Sequence, residues 1–327
     1  MRHAVGTRDA SRYGPDAPNG RRTGGGAEIV PGEILRQVRR LEIRTRALVA
    51  ELFAGQYQSA FKGQGMEFAE VREYVPGDDI RTIDWNVTAR YGAPFVKQYA
   101  EERELSVFLL VDLSASQGFG SARRSKVELA AEVGALLGFS AIRNQDKVGL
   151  LAFTDRVEQL IPPRKGRSHG LRLVRDILYF QPAGRGTDLA IACEAAQHVL
   201  RRRSIVLLLS DFLDPSEHWD RALGILARRH DVVALETRDA LEAGSRSWPA
   251  LGLIEWEDPE TGRRTLFDTS DRGARAGLEQ RFAEQRAQVA DCLRRHGVDH
   301  VVLEVGRDPV EPLLGFFRLR ERRRARE

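Results

Sequence analysis

Cysteine is nearly absent. Cys193 and Cys292 stand far apart with no C-x-x-C pair, which argues against a disulfide framework or a zinc ribbon and points to a reducing cytoplasm. Long apolar runs are missing too. The longest, around 107–111, falls far short of the roughly 20 residues that a membrane helix needs. Residues 1–30 lack the apolar segment of a signal peptide and are rich in Gly, Arg and Asp, so a disordered tail is expected there. There is no G-x-S-x-G elbow, no G-x-x-x-x-G-K-[ST] phosphate loop, no H-E-x-x-H and no EF-hand loop. None of the seven histidines sits in a motif that marks a catalytic base. These gaps argue against serine hydrolases, P-loop nucleotidases and zinc enzymes.

What is present suffices for a packed core, since 42% of the 327 residues are hydrophobic. The 51 basic and 47 acidic side chains leave a net charge of +4. The basic excess gathers at the ends, in Arg21, Arg22 and the run 318–327, with no interleaved aromatics. It therefore reads as solvated terminal charge rather than a nucleic-acid surface.

Residues 31–53 space Ile34, Leu35, Val38, Leu41, Leu48, Val49 and Leu52 mostly three and four apart, which predicts an amphipathic helix. The segment 55–99 is broken by Gly63, Gly65, Pro76-Gly77, Gly92 and Pro94, and predicts short strands and turns. After 104 buried strands alternate with amphipathic helices. Strands are expected at 105–111, 148–153, 156–161, 204–210, 232–236 and 298–305. Helices are expected at 126–143, 171–178, 189–200, 217–229, 274–295 and 310–317. Strand 156–161 follows its predecessor too closely for a helical crossover and should pair antiparallel at an edge. A hairpin at 251–268 is turned by Asp258-Pro259-Glu260-Thr261-Gly262. The expected fold class is α/β. An open, Rossmann-like, mostly parallel sheet with one antiparallel edge strand should occupy 104–318, covered on both faces. A helix and β-rich segment over 31–103 precedes it, and a basic tail, 319–327, follows.

The stretch "SVFLLVDLSASQGFG" sets Asp112, Ser114 and Ser116 at alternating positions just past a strand. One carboxylate and two hydroxyls are hard donors suited to Mg²⁺, or to Mn²⁺ or Ca²⁺, but Mg²⁺ takes six oxygens. Two further donors follow in chain order: Thr187 in "GRGTDL" and Asp211 at the end of "IVLLLSDF". In a sheet of order 3-2-1-4-5-6, strands 1 and 4 flank the point where the order reverses, and ligands bind outside their carboxyl ends. Asp112 and Asp211 would face each other there. Each residue alone fits a helix cap or a loop acid. Together they favour a metal site.

This set, Asp112-x-Ser114-x-Ser116 with Thr187 and Asp211, resembles the metal-ion-dependent adhesion site of von Willebrand factor A domains. The block "GQGMEFAEVREYVPGDDIRTIDWNVTAR" (63–90), with "DKVGLLAF" and "SDFLD", is similar to the bacterial and archaeal family called domain of unknown function 58, over about residues 33–318. The resemblance implies a Rossmann-like A domain with a small N-terminal β-rich addition, and a MoxR-type AAA+ ATPase as partner. It implies that the hydroxyls of Ser114, Ser116 and Thr187 bind the ion, with Asp112 and Asp211 doing so directly or through water. Gln117 stands where many such sites carry Met or Gly, which bears on fine geometry. Family members often carry membrane helices before the β-rich block; none is visible here, which implies a soluble form.

An ion held by neutral hydroxyls and two carboxylates keeps an open position for an anionic oxygen. In adhesion-type domains that oxygen is a client's Asp or Glu, so the expected activity is non-enzymatic protein binding. The 63–90 block adds Arg72, Tyr74, Asp78, Asp79, Arg81, Asp84 and Trp85 around Pro76-Gly77, which suits a type II turn. They form either a salt-bridged turn or a docking surface for the ATPase. The competing readings are a metal-dependent phosphoester hydrolase, with Asp188 or Asp214 as base, and a metal-free scaffold.

Overall fold

The computed structural model describes residues 31–61, 67–100, 105–120, 124–214, 216, 218–243 and 248–325. The tail expected at 1–30 lies outside them. Helix α1 (Pro31–Leu48) passes through one π-helical turn, Val49–Phe53, into α2 (Ala54–Phe61). The strand-and-turn expectation for 55–61 is therefore corrected. Tyr57, Ala60 and Phe61 carry the apolar stripe one helix further, and all three are buried. The rest of the segment is less β-rich than expected: two antiparallel strands, β1 (Glu67–Glu73) and β2 (Phe95–Ala100), enclose a 3₁₀ turn and α3 (Trp85–Tyr91). Asp84 starts α3 because its carboxylate accepts from the amides of Asn86 and Val87.

The main sheet is built from β3 (Ser106–Asp112), β4 (Lys147–Phe153), β5 (Val157–Arg164), β6 (Ile205–Ser210), β7 (Asp231–Arg238) and β10 (Asp299–Glu304). Its order is β10-β7-β6-β3-β4-β5, with only the edge strand β5 antiparallel. This is the expected Rossmann-like arrangement, with the order reversing between β3 and β6. The strands are apolar on both faces, as a sheet covered twice requires. In β3, Val107, Leu109 and Val111 enter one core, while Phe108 and Leu110 enter the other. α4 (Lys126–Arg143) and α5 (Arg167–Tyr179) cover the first face; α6 (Leu189–Val199), α7 (Trp219–Arg229) and α8 (Arg272–Arg295) cover the second. The hairpin β8 (Leu253–Glu257) and β9 (Arg264–Asp268) pairs only with itself.

Two expected boundaries move. Val49, Phe53, Tyr57 and Phe61 share the first core with the sheet, and the Tyr57 hydroxyl donates to Asp146 at 3.0 Å, so no division falls at 103/104 there. At the other end, α9 (Val310–Arg324) runs through most of the expected basic tail. Its Arg320 is nearly buried, pairs with Asp231 and Asp299, and stacks 4.7 Å over the Phe61 ring. Arginines that read as solvated charge thus include one built into the fold. Among the described residues no helix is long and apolar enough to cross a membrane.

His230, at the end of α7, is buried and neither ring nitrogen has a hydrogen-bond partner among the described residues. Burial first, then Arg229 and Arg203, lower its pKa from the ordinary 6.5. The unfolded chain therefore binds a proton that the folded one resists. Stability is complete above the unfolded pKa and falls as pH drops through it. The thermal midpoint should decline between about pH 7.5 and about pH 5.5, and His230→Leu should flatten part of that decline.

Candidate metal centre

β3 and β6 run parallel and in register, Val111 beside Leu209, so both chains leave the sheet at the same level. Asp112 ends β3. One carboxylate oxygen accepts from the Ser114 amide at 2.8 Å, folding the chain back, and the other accepts from Ser210 Oγ at 2.6 Å. A 3₁₀ turn, Ala115–Gly118, then presents Ser116. The Ala115 amide donates to the Arg185 carbonyl, tying this turn to the loop that carries Thr187. Gly184 makes that loop possible, since a Cβ there would lie 2.2 Å from side-chain oxygens of Thr154 and Asp155. After β6, Asp211 is followed by Phe212 at φ 56°, a left-handed conformation uncommon outside glycine. Such strain gathers at functional loops.

The predicted oxygens converge. Ser114 Oγ and Ser116 Oγ are 3.0 Å apart, and Ser116 Oγ donates to Asp211 Oδ2 at 3.0 Å. Adjacent ligands of an octahedral ion with bonds near 2.1 Å are separated by about 3 Å, so both spacings suit Mg²⁺ or Mn²⁺. Thr187 Oγ1, on the loop tied to the serine turn through the Arg185 carbonyl, donates to Glu260 Oε1 at 2.7 Å. All five predicted residues are buried. Burial, and next the charge of Asp211, push the Asp112 carboxyl up to about 7 against the hydrogen bonds from Ser210 and Ser114. A divalent cation among these oxygens would offset that repulsion. The donor set fits such an ion.

Three charged residues were not foreseen. Lys126 is fully buried and donates to Asp211 Oδ2 at 2.9 Å and to Glu242 at 2.8 Å. Burial alone would lower its pKa, but Asp211 and Glu242 together hold it above the ordinary value. Its position was a signal: a lysine in the first turn of a helix opposes the macrodipole unless acids hold it there. Glu260, read only as part of a turn, reaches the site from the β8–β9 hairpin. Burial raises its pKa, opposed by the Thr187 hydrogen bond. Glu242 had no local mark; it lies after β7 and meets Lys126 only through the fold.

Gln117 is buried behind Asp112, with its amide nitrogen 3.5 Å from Asp112 Oδ2 and its oxygen accepting from Thr237, so it lies apart from the hydroxyls. The bases considered for hydrolysis are engaged elsewhere. Asp188 caps α6, and Asp214 accepts from the amides of Leu189 and Ser216. A second cluster, Asp220, Cys292 and His296, lies between α7 and α8. Arg295 also pairs with Asp220, and burial together with Asp220 pushes the Cys292 thiol up to about 12, as suits a protonated donor tying two helices.

Around Pro76-Gly77 the polar residues build the turn. Asp78 takes both arms of Arg72 at 2.7 and 2.6 Å and the Val75 amide at 2.9 Å. Gly77 takes φ 114°, the sign a type II turn needs. Asp79 accepts from the Arg81 amide, while Tyr74 is half-buried and its amide donates to Pro94. Trp85 is left exposed, with Ile80 and Tyr91.

Residues 70–288 match the profile of the family described as "Protein of unknown function DUF58". The "Uncharacterized protein Rv1480" of Mycobacterium tuberculosis is 34% identical over 287 residues, covering 87% of this chain and 89% of its own. An "Uncharacterized protein in moxR 3'region" of Paracoccus denitrificans is 36% identical over 108 residues, covering 32% of this chain and 97% of its own. Among solved structures, an aerotolerance-related membrane protein from Bacteroides fragilis aligns with a TM-score of 0.42 at 13% identity, over 67% of this chain and 99% of that one. A von Willebrand factor type A protein from Catenulispora acidiphila aligns with a TM-score of 0.38 at 13% identity, over 69% and 43%.

Proposed function

The chain belongs to the DUF58 family, and from that premise we propose a non-enzymatic, divalent-metal-dependent protein-interaction module that works with a MoxR-type AAA+ ATPase in assembly, maturation or stress response. The observation that carries the reading is the convergence of Ser114, Ser116 and Asp211 oxygens at 3.0 Å spacings beside buried Asp112, at the carboxyl ends of adjacent parallel strands. Mg²⁺, or Mn²⁺ or Ca²⁺, would supply a coordination position attractive to a client's Asp or Glu. The chain's own part is to aim the hydroxyls, exclude water around Asp112 and balance charge through Lys126. The partner class is supported by the Paracoccus denitrificans relative, named for a moxR region. With Asp188 and Asp214 both holding backbone amides, binding is favoured over phosphoester hydrolysis.

The test is thermal unfolding after chelation, with Mg²⁺ or Mn²⁺ restored. At a free ion concentration about 100 times Kd the wild type gains about 2.7 kcal/mol. That is about 5–10 °C for a domain of this size. Asp112→Ala abolishes the rise. A wild type indifferent to both ions leaves Lys126 as the site's counter-charge and favours the metal-free scaffold. Retention of a MoxR-type ATPase on immobilised protein should likewise depend on the ion.

A further inference from the structure

Glu260 reaches the candidate ion site from outside the Rossmann-like sheet. It stands at the tip of the β8–β9 hairpin, which touches no strand of the main sheet through backbone pairing. Its aim is fixed locally. The Asp258 carboxylate accepts from the Glu260 amide at 3.0 Å and from Thr261 Oγ1 at 2.6 Å, and Gly262 closes the turn at φ 70°. The carboxylate that results meets Thr187 Oγ1 at 2.7 Å, on one of the five predicted ligands. A second contact seats the hairpin: Trp256 meets Trp248 at 5.0 Å with the rings tilted 48° apart, and meets Phe119, just past the serine turn, at 6.5 Å. Elsewhere the hairpin is open to solvent, with Leu253 and Leu266 exposed. An acid placed beside Asp211 is repelled unless a cation lies between them. Lys126 is already committed to Asp211 and Glu242.

We propose that Glu260 is itself a ligand of the ion, donated by the hairpin, so that a client's carboxylate reaches the ion only by displacing it. This rests on the ion-binding reading above. The hairpin then acts as an internal competitor, and the ion clamps it shut. Coupling is reciprocal: the factor by which Glu260 strengthens ion binding equals the factor by which the ion stabilises the closed hairpin.

The exposed pair Arg263 and Arg264 beside the turn offers a direct readout by trypsin. The full chain, its Glu260→Gln variant and a Glu257→Gln control are titrated with Mn²⁺ by calorimetry. Each is also digested with and without Mn²⁺, with cleavage after Arg263 and Arg264 followed by mass spectrometry. Wild type and control should bind Mn²⁺ and be protected by it. Glu260→Gln should bind about ten-fold or more weakly and lose a similar factor of protection, while keeping its circular dichroism. Equal Mn²⁺ affinity in wild type and Glu260→Gln, with hairpin cleavage indifferent to the ion, overturns the role of Glu260 and leaves the ion site standing. A wild type that binds no Mn²⁺ overturns both.

Discussion

Lys126→Met should cost about 3–5 kcal/mol of stability in chelator, because Asp211 and Glu242 would lose the ammonium that both contact from within the protein. Methionine keeps most of the volume, so the loss is electrostatic rather than a cavity. The variant's response to metal is more informative than the loss. With the ammonium gone, a divalent ion becomes the main positive charge facing Asp211, and Mn²⁺ should stabilise Lys126→Met by more than it stabilises wild type. Urea unfolding of both proteins, each with and without Mn²⁺, gives the four midpoints needed, provided the slopes agree. Equal gains in the two proteins would show that Lys126 and the ion do not share Asp211.

Phe53→Ala should remove about 3–5 kcal/mol, the range for a large ring taken from a packed core. Phe53 is wholly buried and meets Phe317 edge-on at 5.7 Å. The melting temperature should fall by about 10 °C as a single transition, because the helical opening of the chain and the sheet share one core. If the opening helices formed a separate unit, the main transition would stay in place and a smaller early one would appear. Calorimetry distinguishes the two.

Where burial and backbone direction follow a short local period, the sequence was readable. The doubly apolar strands and the antiparallel edge at β5 follow from run lengths and from the missing crossover between β4 and β5, while the strand order is the one a Rossmann-like sheet presupposes. The proximity of Ser114, Ser116 and Asp211 is legible because each sits just past a strand's carboxyl end, a position the chain itself marks. What was missed depends on distance along the chain. Lys126 and Glu242 are separated by 116 residues, and Thr187 and Glu260 by 73, so nothing local pairs them. The helical stretch Gly55–Phe61 differs from expectation because it borders the segment broken by Gly63, Gly65 and Pro76-Gly77, yet Tyr57 and Phe61 have a core to enter. The Arg-rich end was misread for a related reason: Arg320 looks solvated until Phe61, Asp231 and Asp299 are beside it.

That last contact also governs the order in which the molecule is completed. Phe53 and Phe61 emerge in synthesis well before Phe316, Phe317 and Arg320, which cover them and follow the whole sheet in the chain. Until α9 has been made, the opening helices present uncovered aromatic rings to the cell. Contacts spanning nearly the whole chain close slowly. A nascent chain stalled before α9 should therefore lack a closed core and be a substrate for holdase chaperones or proteases, however well its central strands have paired.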